Sequence, residues 1–184
     1  MTCAGVLLTG GASRRMGTDK ATIVINCETL AARTARVLAS VCEPVIEVGS
    51  GVSGLPCVRE DPPGAGPLAA LVAGADALAS DVVLLLACDL PFVDIPVLRL
   101  LAQWPGTRTA VPIAGDRSQY ACARYGPAAL TEARRALRRG ESSLKAICGA
   151  DRDDVSESAW RALGPPNTFA DIDTPEDLRR LGLA

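Results

Sequence analysis

Residues 6–20 read Val6-Leu7-Leu8-Thr9-Gly10-Gly11-Ala12-Ser13-Arg14-Arg15-Met16-Gly17-Thr18-Asp19-Lys20. An apolar run suited to a buried strand is followed at once by a pair of glycines, and then by arginines, another glycine and a lysine. A loop with little side-chain bulk, free backbone N–H groups and concentrated positive charge has the properties needed to bind a polyphosphate. The stretch therefore predicts a strand that ends in a nucleotide-binding loop.

The order of residues in this loop separates it from two better-known phosphate loops. A P-loop ends in Gly-Lys-Ser/Thr, and the dinucleotide-binding fingerprint has its third glycine three residues after the second. Here the order is Gly-Gly-x-Ser-x-Arg-Met-Gly-x-Asp-Lys. This order is typical of nucleotidyltransferases that act on nucleoside triphosphates.

Four further segments extend the resemblance along nearly the whole chain. They are Glu60-Asp61, Gly66-Pro67-Leu68, Cys88-Asp89-Leu90-Pro91 and the tail from Asp171 to Leu178. With the loop, they make the sequence resemble the molybdenum cofactor guanylyltransferases, which join GMP from GTP to the terminal phosphate of molybdopterin. The resemblance implies a Mg²⁺-dependent cytoplasmic enzyme with a nucleotide-diphospho-sugar transferase-like fold. It also implies transient contact with molybdoenzymes or cofactor-delivery proteins.

The pattern of apolar residues predicts one α/β domain over residues 1–184, with a Rossmann-like, doubly wound and mostly parallel sheet. Apolar runs predict strands at residues 4–9, 44–48, 57–58, 82–87, 109–113 and 119–125. Helical spacing predicts helices at residues 30–41, 66–79, 95–103, 127–139, 142–148 and 174–181. The strand at 82–87 is apolar throughout, which predicts a central place in the sheet.

Composition excludes several classes of protein. A net charge of −2 disfavours a nucleic-acid-binding role, since such proteins usually carry a basic surplus. The chain has no histidine, which excludes a Ser-His-Asp triad, a Cys-His pair and a histidine-ligated zinc site. Its 7 cysteines are scattered singly, which predicts reduced thiols in a cytoplasm. No apolar run is long enough to predict a membrane span.

Three sequence signals follow three predicted strands, and the carboxyl ends of parallel strands meet at one edge of a sheet. The loop follows the first strand, Asp61 follows the strand at 57–58, and Asp89 follows the strand at 82–87. We therefore expect a single nucleotide site at this edge. Its expected nucleotide contacts are Leu8, Thr9, Gly10, Gly11, Arg15, Lys20, Asp61, Gly66 and Asp89.

Charged residues in these segments have expected catalytic roles. Arg15 and Lys20 are expected to hold the triphosphate, because arginine contacts phosphate oxygens through two N–H groups and lysine acts as a point charge. Asp89 is a lone carboxylate at the end of an apolar strand, and the resemblance implies that it carries Mg²⁺. Asp173 has two interpretations, as a second metal ligand or as part of the start of the last helix.

The choice of nucleotide rests on Gly10. Relatives that transfer guanylyl groups usually have two glycines here, whereas those that transfer cytidylyl groups have alanine before the glycine, so the resemblance implies GTP. Two alternatives remain open at this point. The first is a related nucleotidyltransferase that uses CTP or another small phosphorylated acceptor, and the second is a relative that binds nucleotide or cofactor without turnover.

Overall fold

The strands and helices follow one another in the alternating order that the sequence predicts. The computed structural model describes residues 3–10, 19–147, 149 and 151–183. Within these residues the strands are β1 (Ala4–Leu8), β2 (Val24–Ile25), β3 (Glu28–Thr29), β4 (Val45–Val48), β5 (Cys57–Val58), β6 (Val83–Ala87), β7 (Thr109–Ala114), β8 (Arg117–Ser118), β9 (Cys122–Tyr125) and β10 (Arg152–Val155). The helices are α1 (Leu30–Ala39), α2 (Pro67–Ala77), α3 (Ile95–Ala102), α4 (Pro127–Arg138), α5 (Glu157–Arg161) and α6 (Pro175–Arg180).

Local sequence explains where the helices begin. The first residues of α2, α4 and α6 are prolines, whose fixed φ suits the first turn and whose missing N–H is not needed there. The N-terminus of α1 is capped by the Thr29 side chain, and that of α3 by the Asp94 side chain. Each cap satisfies a backbone N–H group that has no partner within its helix.

The main sheet has the strand order β10-β7-β9-β6-β1-β4-β5, and β8 also pairs with β7. The pairs β1–β4, β1–β6, β4–β5 and β7–β10 are parallel. In this sheet β9 runs antiparallel to β6 and β7, and β8 runs antiparallel to β7. Strands β2 and β3 form a separate antiparallel pair. The predicted mostly parallel α/β sheet is therefore confirmed, and β6 lies in the middle of the strand order as expected.

Alternate residues of the buried strands face two separate cores. One core contains Leu7, Leu84 and Leu86 together with apolar residues of α1 and α3. The other contains Val6 and Leu85 together with residues of α2 and α4. Helices thus cover both faces of the sheet, which is why β1 and β6 are continuous apolar runs.

The structure corrects the prediction in three places. Residues 119–125 were predicted as one strand, but β9 begins only at Cys122. The chain before it turns at Gly115, whose φ is +56°, and forms the short strand β8, which pairs with β7. The segment predicted as a helix at 142–148 is a 3-10 helix over Leu144–Ile147, and Cys148 lies outside the described residues. β2, β3, β10 and α5 were not predicted, because they are short or carry several charged residues.

Candidate active site

The carboxyl ends of four neighbouring strands form the edge where the sequence predicts a site. The N–H of Thr9 donates to the carbonyl of Val48 at 3.1 Å, and the N–H of Cys88 donates to the carbonyl of Leu8 at 3.0 Å. The N–H of Gly49 donates to the carbonyl of Val58 at 3.1 Å. These bonds continue the sheet one residue past its strands, so the residues that follow β1, β4, β5 and β6 lie side by side.

At one end of this edge, Lys20 lies between two carboxylates. Its Nζ is 3.4 Å from Oδ2 of Asp89 and donates a short hydrogen bond to Oδ1 of Asp173. The Lys20 and Asp89 side chains are 17% and 28% exposed, so this contact is largely shielded from water. Lys20, Asp89 and Asp173, which are far apart in the sequence, are thus brought together in one group.

Backbone contacts bring Asp173 to Asp89. The N–H of Ile172 donates to the carbonyl of Asp89 at 3.0 Å, and Ile172 itself is fully buried. Thr174 caps α6 in a reciprocal pairing with Asp177, so the cap is Thr174 and not Asp173. The Asp173 side chain is therefore directed to Lys20, and its role as a metal ligand stays a prediction.

The charges in this group shift one another's proton affinities. Burial works to lower the pKa of Lys20, but the hydrogen bonds and charges of Asp173 and Asp89 outweigh it and hold that pKa above its ordinary value. Burial raises the pKa of Asp89, and the Lys20 ammonium partly offsets that effect. Lys20 is therefore a full cation at neutral pH, in a place where negative charge is concentrated.

Nearby side chains support the segments that carry this group. Asp19 accepts a hydrogen bond from the N–H of Ala21 at 3.0 Å and so begins the short 3-10 helix at Lys20–Thr22. Nε of Arg33, on α1, donates to the carbonyl of Pro91 at 2.8 Å. That bond anchors the turn that follows Asp89.

At the other end of the edge lies a cavity of about 430 Å³. This volume falls within the range of small-molecule sites. It is lined by Leu8, Gly10, Gly49, Ser50, Arg59, Glu60, Pro63, Gly64, Gly66, Pro67 and Ala70. The cavity therefore lies against the ends of β1, β4 and β5 and against the first turn of α2.

Glu47 organises the wall of this cavity from within the sheet. Its side chain is fully buried, and its carboxylate accepts hydrogen bonds from the Thr9 hydroxyl, from the N–H groups of Gly51 and Val52, and from the N–H and hydroxyl of Ser53. Burial works to raise the pKa of Glu47, but the hydrogen bonds outweigh it and hold that pKa below its ordinary value. A buried carboxylate with this many donors stays ionised and fixes the loop from Gly49 to Ser53.

The predicted nucleotide contacts fall into several groups. Leu8, Gly10 and Gly66 line the cavity, and Lys20 and Asp89 lie in the charged group with Asp173. Thr9 is buried and bonded to Glu47, and Asp61 is exposed and is not among the residues that line the cavity. Gly11 and Arg15 lie outside the described residues. Their roles remain predictions.

Sequence reasoning did not find the roles of Glu47 and Glu60. A single glutamate in the otherwise apolar strand Val45–Val48 was the available signal for Glu47, since an acid in a buried strand needs hydrogen-bond donors around it. Glu60 is part of a motif used for the resemblance, but only the neighbouring Asp61 was given a role. The side chain that lines the cavity is that of Glu60.

The side chains of the charged group suit a Mg²⁺ ion. Asp89 and Asp173 direct carboxylate oxygens to one point, where a cationic nitrogen already lies. Among the described residues there is no cluster of three or more histidine, cysteine, aspartate or glutamate side chains that could hold a metal. Mg²⁺ typically takes only one or two carboxylates and completes its shell with water and substrate phosphates, so Asp89 and Asp173 are donors of the right kind. The Lys20 ammonium lies between them and would have to move for an ion to bind at that point.

Comparison with known proteins identifies the family of this chain. Residues 5–155 match the MobA-like NTP transferase domain, which is most of the chain. The chain belongs to the MobA-like NTP transferase family. As a member of this family, the protein is a nucleotidyltransferase.

Named relatives of this MobA-like protein match nearly its whole length. It is 36% identical to the "Probable molybdenum cofactor guanylyltransferase" of Opitutus terrae, over 96% of this chain and 93% of that protein. It is 34% identical to the "Molybdenum cofactor guanylyltransferase" of Bradyrhizobium sp., over 95% of this chain and 89% of that protein.

A solved structure shares the fold of this MobA-like protein. The molybdopterin-guanine dinucleotide biosynthesis protein A of Archaeoglobus fulgidus aligns with a TM-score of 0.83 and 21% identity, over 96% of this chain and 95% of that one. Among the described residues of this chain, no helix has the length and apolar character needed to span a membrane.

Proposed function

We propose that this MobA-like nucleotidyltransferase is a guanylyltransferase that transfers GMP from GTP to the phosphate of molybdopterin and releases pyrophosphate. In this reaction an oxygen of the acceptor phosphate forms a bond to the α-phosphorus of GTP, and the bond from that phosphorus to the β-phosphate bridging oxygen breaks. The observation that carries the proposal is the group formed by Lys20, Asp89 and Asp173 beside the end of β1. The names of the relatives support the choice of GTP and molybdopterin.

Lys20 is proposed to bind the triphosphate. Its ammonium is held at the strand edge by Asp89 and Asp173, and it is only 17% exposed. A cation that is partly shielded from water interacts more strongly with phosphate oxygens than an exposed one does. Lys20 would thus neutralise charge on the departing pyrophosphate, together with Arg15 as the family resemblance implies.

Asp89 and Asp173 are proposed to hold Mg²⁺, which when bound stabilises the negative charge that develops on the α-phosphate. Asp89 is kept in place by the backbone bond from Ile172 and by the Arg33 contact to Pro91. Such fixed positions mean that little reorganisation is needed when the substrate binds.

No general base is required of this chain. The acceptor is a phosphate monoester, whose second pKa is about 6, so near neutral pH it is already largely a dianion. The chain accordingly needs only to bind and orient the two substrates, and positioning of this kind supplies a large share of the rate. The absence of histidine from the sequence is compatible with this reaction.

The cavity beside Gly10 is proposed to receive the base and ribose. Gly10 has no side chain, and the nearest atom to a Cβ placed there is the Cα of Gly49, at 3.4 Å. That distance is an ordinary van der Waals contact, so an added methyl group would take up space in the lining of the cavity without a clash. The choice of a purine nucleotide over CTP therefore rests on the family resemblance at Gly10.

Pyrophosphate release tests the proposal. Purified protein with Mg²⁺ and molybdopterin should release pyrophosphate from GTP and not from CTP or ATP, and the signal should disappear on addition of a chelator. Release from CTP alone would overturn the choice of base. No release from any of the three nucleotides would contradict the transfer reaction.

Substitutions on either side of β6 give a matched comparison. Asp89→Asn changes the carboxylate at the carboxyl end of this strand and should lower kcat by at least about 100-fold. Asp81→Asn changes an exposed carboxylate just before the same strand and should leave kcat unchanged. Equal rates for the two variants would contradict the role of Asp89.

Contact of this protein with molybdoenzymes or cofactor-delivery proteins stays a prediction.

A further inference from the structure

The two ends of the strand edge carry different chemistry. Lys20, Asp89 and Asp173 form a charged group next to the end of β6, whereas the cavity lies against the ends of β1, β4 and β5. From β6 to β5 there are three strand spacings, or about 14 Å. An elongated ligand that lies across these strand ends would therefore have one part in each environment.

Glu60 supplies a carboxylate to the cavity. Its Oε1 accepts a hydrogen bond from the N–H of Gly64 at 2.9 Å, which fixes the orientation of the side chain. The same oxygen is 3.9 Å from the point where a Cβ on Gly10 would lie, so the carboxylate directly adjoins the glycine expected to contact the nucleotide. Its other oxygen, Oε2, makes no hydrogen bond or ion pair to any part of the chain that the structure describes.

A carboxylate at this place constrains what part of a nucleotide can lie beside it. An ionised carboxylate accepts hydrogen bonds and donates none, and it repels phosphate groups. It therefore suits the base and not the triphosphate. Guanine presents two adjacent donors on one edge, the ring N1–H and the 2-amino group, whereas adenine and cytosine present an unprotonated ring nitrogen there.

We propose that Glu60 is the residue that selects guanine, by accepting hydrogen bonds from N1–H and the 2-amino group through its carboxylate. This inference rests on the proposed use of GTP and adds to it the group that recognises the base. Adenine or cytosine would bring a ring acceptor against the carboxylate, so both partners would lose hydrogen bonds to water without replacement. Sites built to hydrogen-bond a substrate reject analogues that lack the matching group for this reason.

Equilibrium binding of nucleotide analogues tests this role without turnover. Inosine triphosphate retains N1–H but lacks the 2-amino group, and xanthosine triphosphate has a carbonyl oxygen in its place. The wild-type protein, titrated with each in the presence of Mg²⁺, should bind GTP about 10- to 100-fold more tightly than either analogue. In Glu60→Gln the carboxamide offers one acceptor and one donor, so GTP should lose this advantage and xanthosine triphosphate should bind more tightly than GTP.

Two further variants complete the test. Glu60→Ala should bind GTP and inosine triphosphate equally and should gain no affinity for xanthosine triphosphate. Glu43→Gln changes an exposed carboxylate at the amino end of β4 and should keep the wild-type preferences. Thermal melts of all variants establish that each binding measurement is made on folded protein.

The outcomes separate the two proposals. If the wild-type protein prefers GTP over inosine triphosphate and both Glu60 variants keep that ratio, the role of Glu60 is overturned while the use of GTP stands. If the wild-type protein binds CTP or ATP as tightly as GTP, the proposed function fails, and the role of Glu60 fails with it. A reversed preference in Glu60→Gln, with the ratio lost in Glu60→Ala, supports the inference.

Discussion

Replacement of Glu47 by alanine should destabilise the protein more than most single substitutions do. The fully buried carboxylate accepts hydrogen bonds from the Thr9 hydroxyl, from the N–H groups of Gly51 and Val52, and from two groups of Ser53. Alanine offers no acceptor. All of these donors must then bind water or remain without a partner.

Exposure decides which of them can bind water. Gly51 and Val52 are exposed, so their N–H groups can be hydrated after the substitution. The Thr9 hydroxyl and the Ser53 N–H are more deeply placed, because Thr9 is only 4% exposed and Ser53 is half-buried. A buried donor left unpaired costs about 1–3 kcal/mol, so these two together lower the free energy of unfolding by about 4 kcal/mol. Domains are typically stable by about 5–15 kcal/mol, so the variant should still fold.

Urea denaturation measures this loss. With a slope of about 2 kcal/mol per molar urea, the midpoint of Glu47→Ala should fall by about 2 M. Glu43→Ala, an exposed glutamate before the same strand, should change the free energy of unfolding by no more than about 0.5 kcal/mol. A loss below about 1 kcal/mol in Glu47→Ala would show that the carboxylate does not hold the loop, and the reasoning would be refuted.

Three other predictions concern the same framework. The pKa of Glu47 is held below its ordinary value of 4.5, so the contribution of its ionised carboxylate to stability is complete above about pH 4.5 and is lost as the pH falls through the lowered pKa. The urea midpoint of the wild-type protein should therefore fall more steeply in acid than that of Glu47→Gln. Parallel curves of midpoint against pH would contradict this. Gly126→Ala should lower the free energy of unfolding by about 2 kcal/mol or more, because the added Cβ would overlap the carbonyl oxygen of Thr107. Gly149→Ala places its Cβ in open space and serves as the control in thermal melts. Thr174→Ala removes the cap of α6 and should cost about 1 kcal/mol, seen as a fall in Tm of about 3 °C; an unchanged Tm would mean that the cap does not stabilise the native state.

Much of the fold could be predicted from local patterns. The apolar runs that became β1 and β6 are buried on both faces of the sheet, so no other environment suits them. Prolines at the first helical positions indicated where α2 and α6 begin. β10 could not be predicted, because its residues Arg152–Val155 are mostly charged and its strand conformation depends on pairing with β7.

By itself, the sequence determined the α/β alternation, the end of β1 just before Gly10 and the lone carboxylate after β6, because each depends on a short run of neighbouring residues. Only the tertiary structure decided which groups meet. Lys20 reaches Asp173 across 153 positions, because the backbone bond from Ile172 to Asp89 draws the C-terminal segment to the end of β6. Likewise, Glu60 borders the cavity because β5 pairs with β4. Contacts of this kind arise from strand pairing and burial between distant segments, and no local pattern of residue types encodes them.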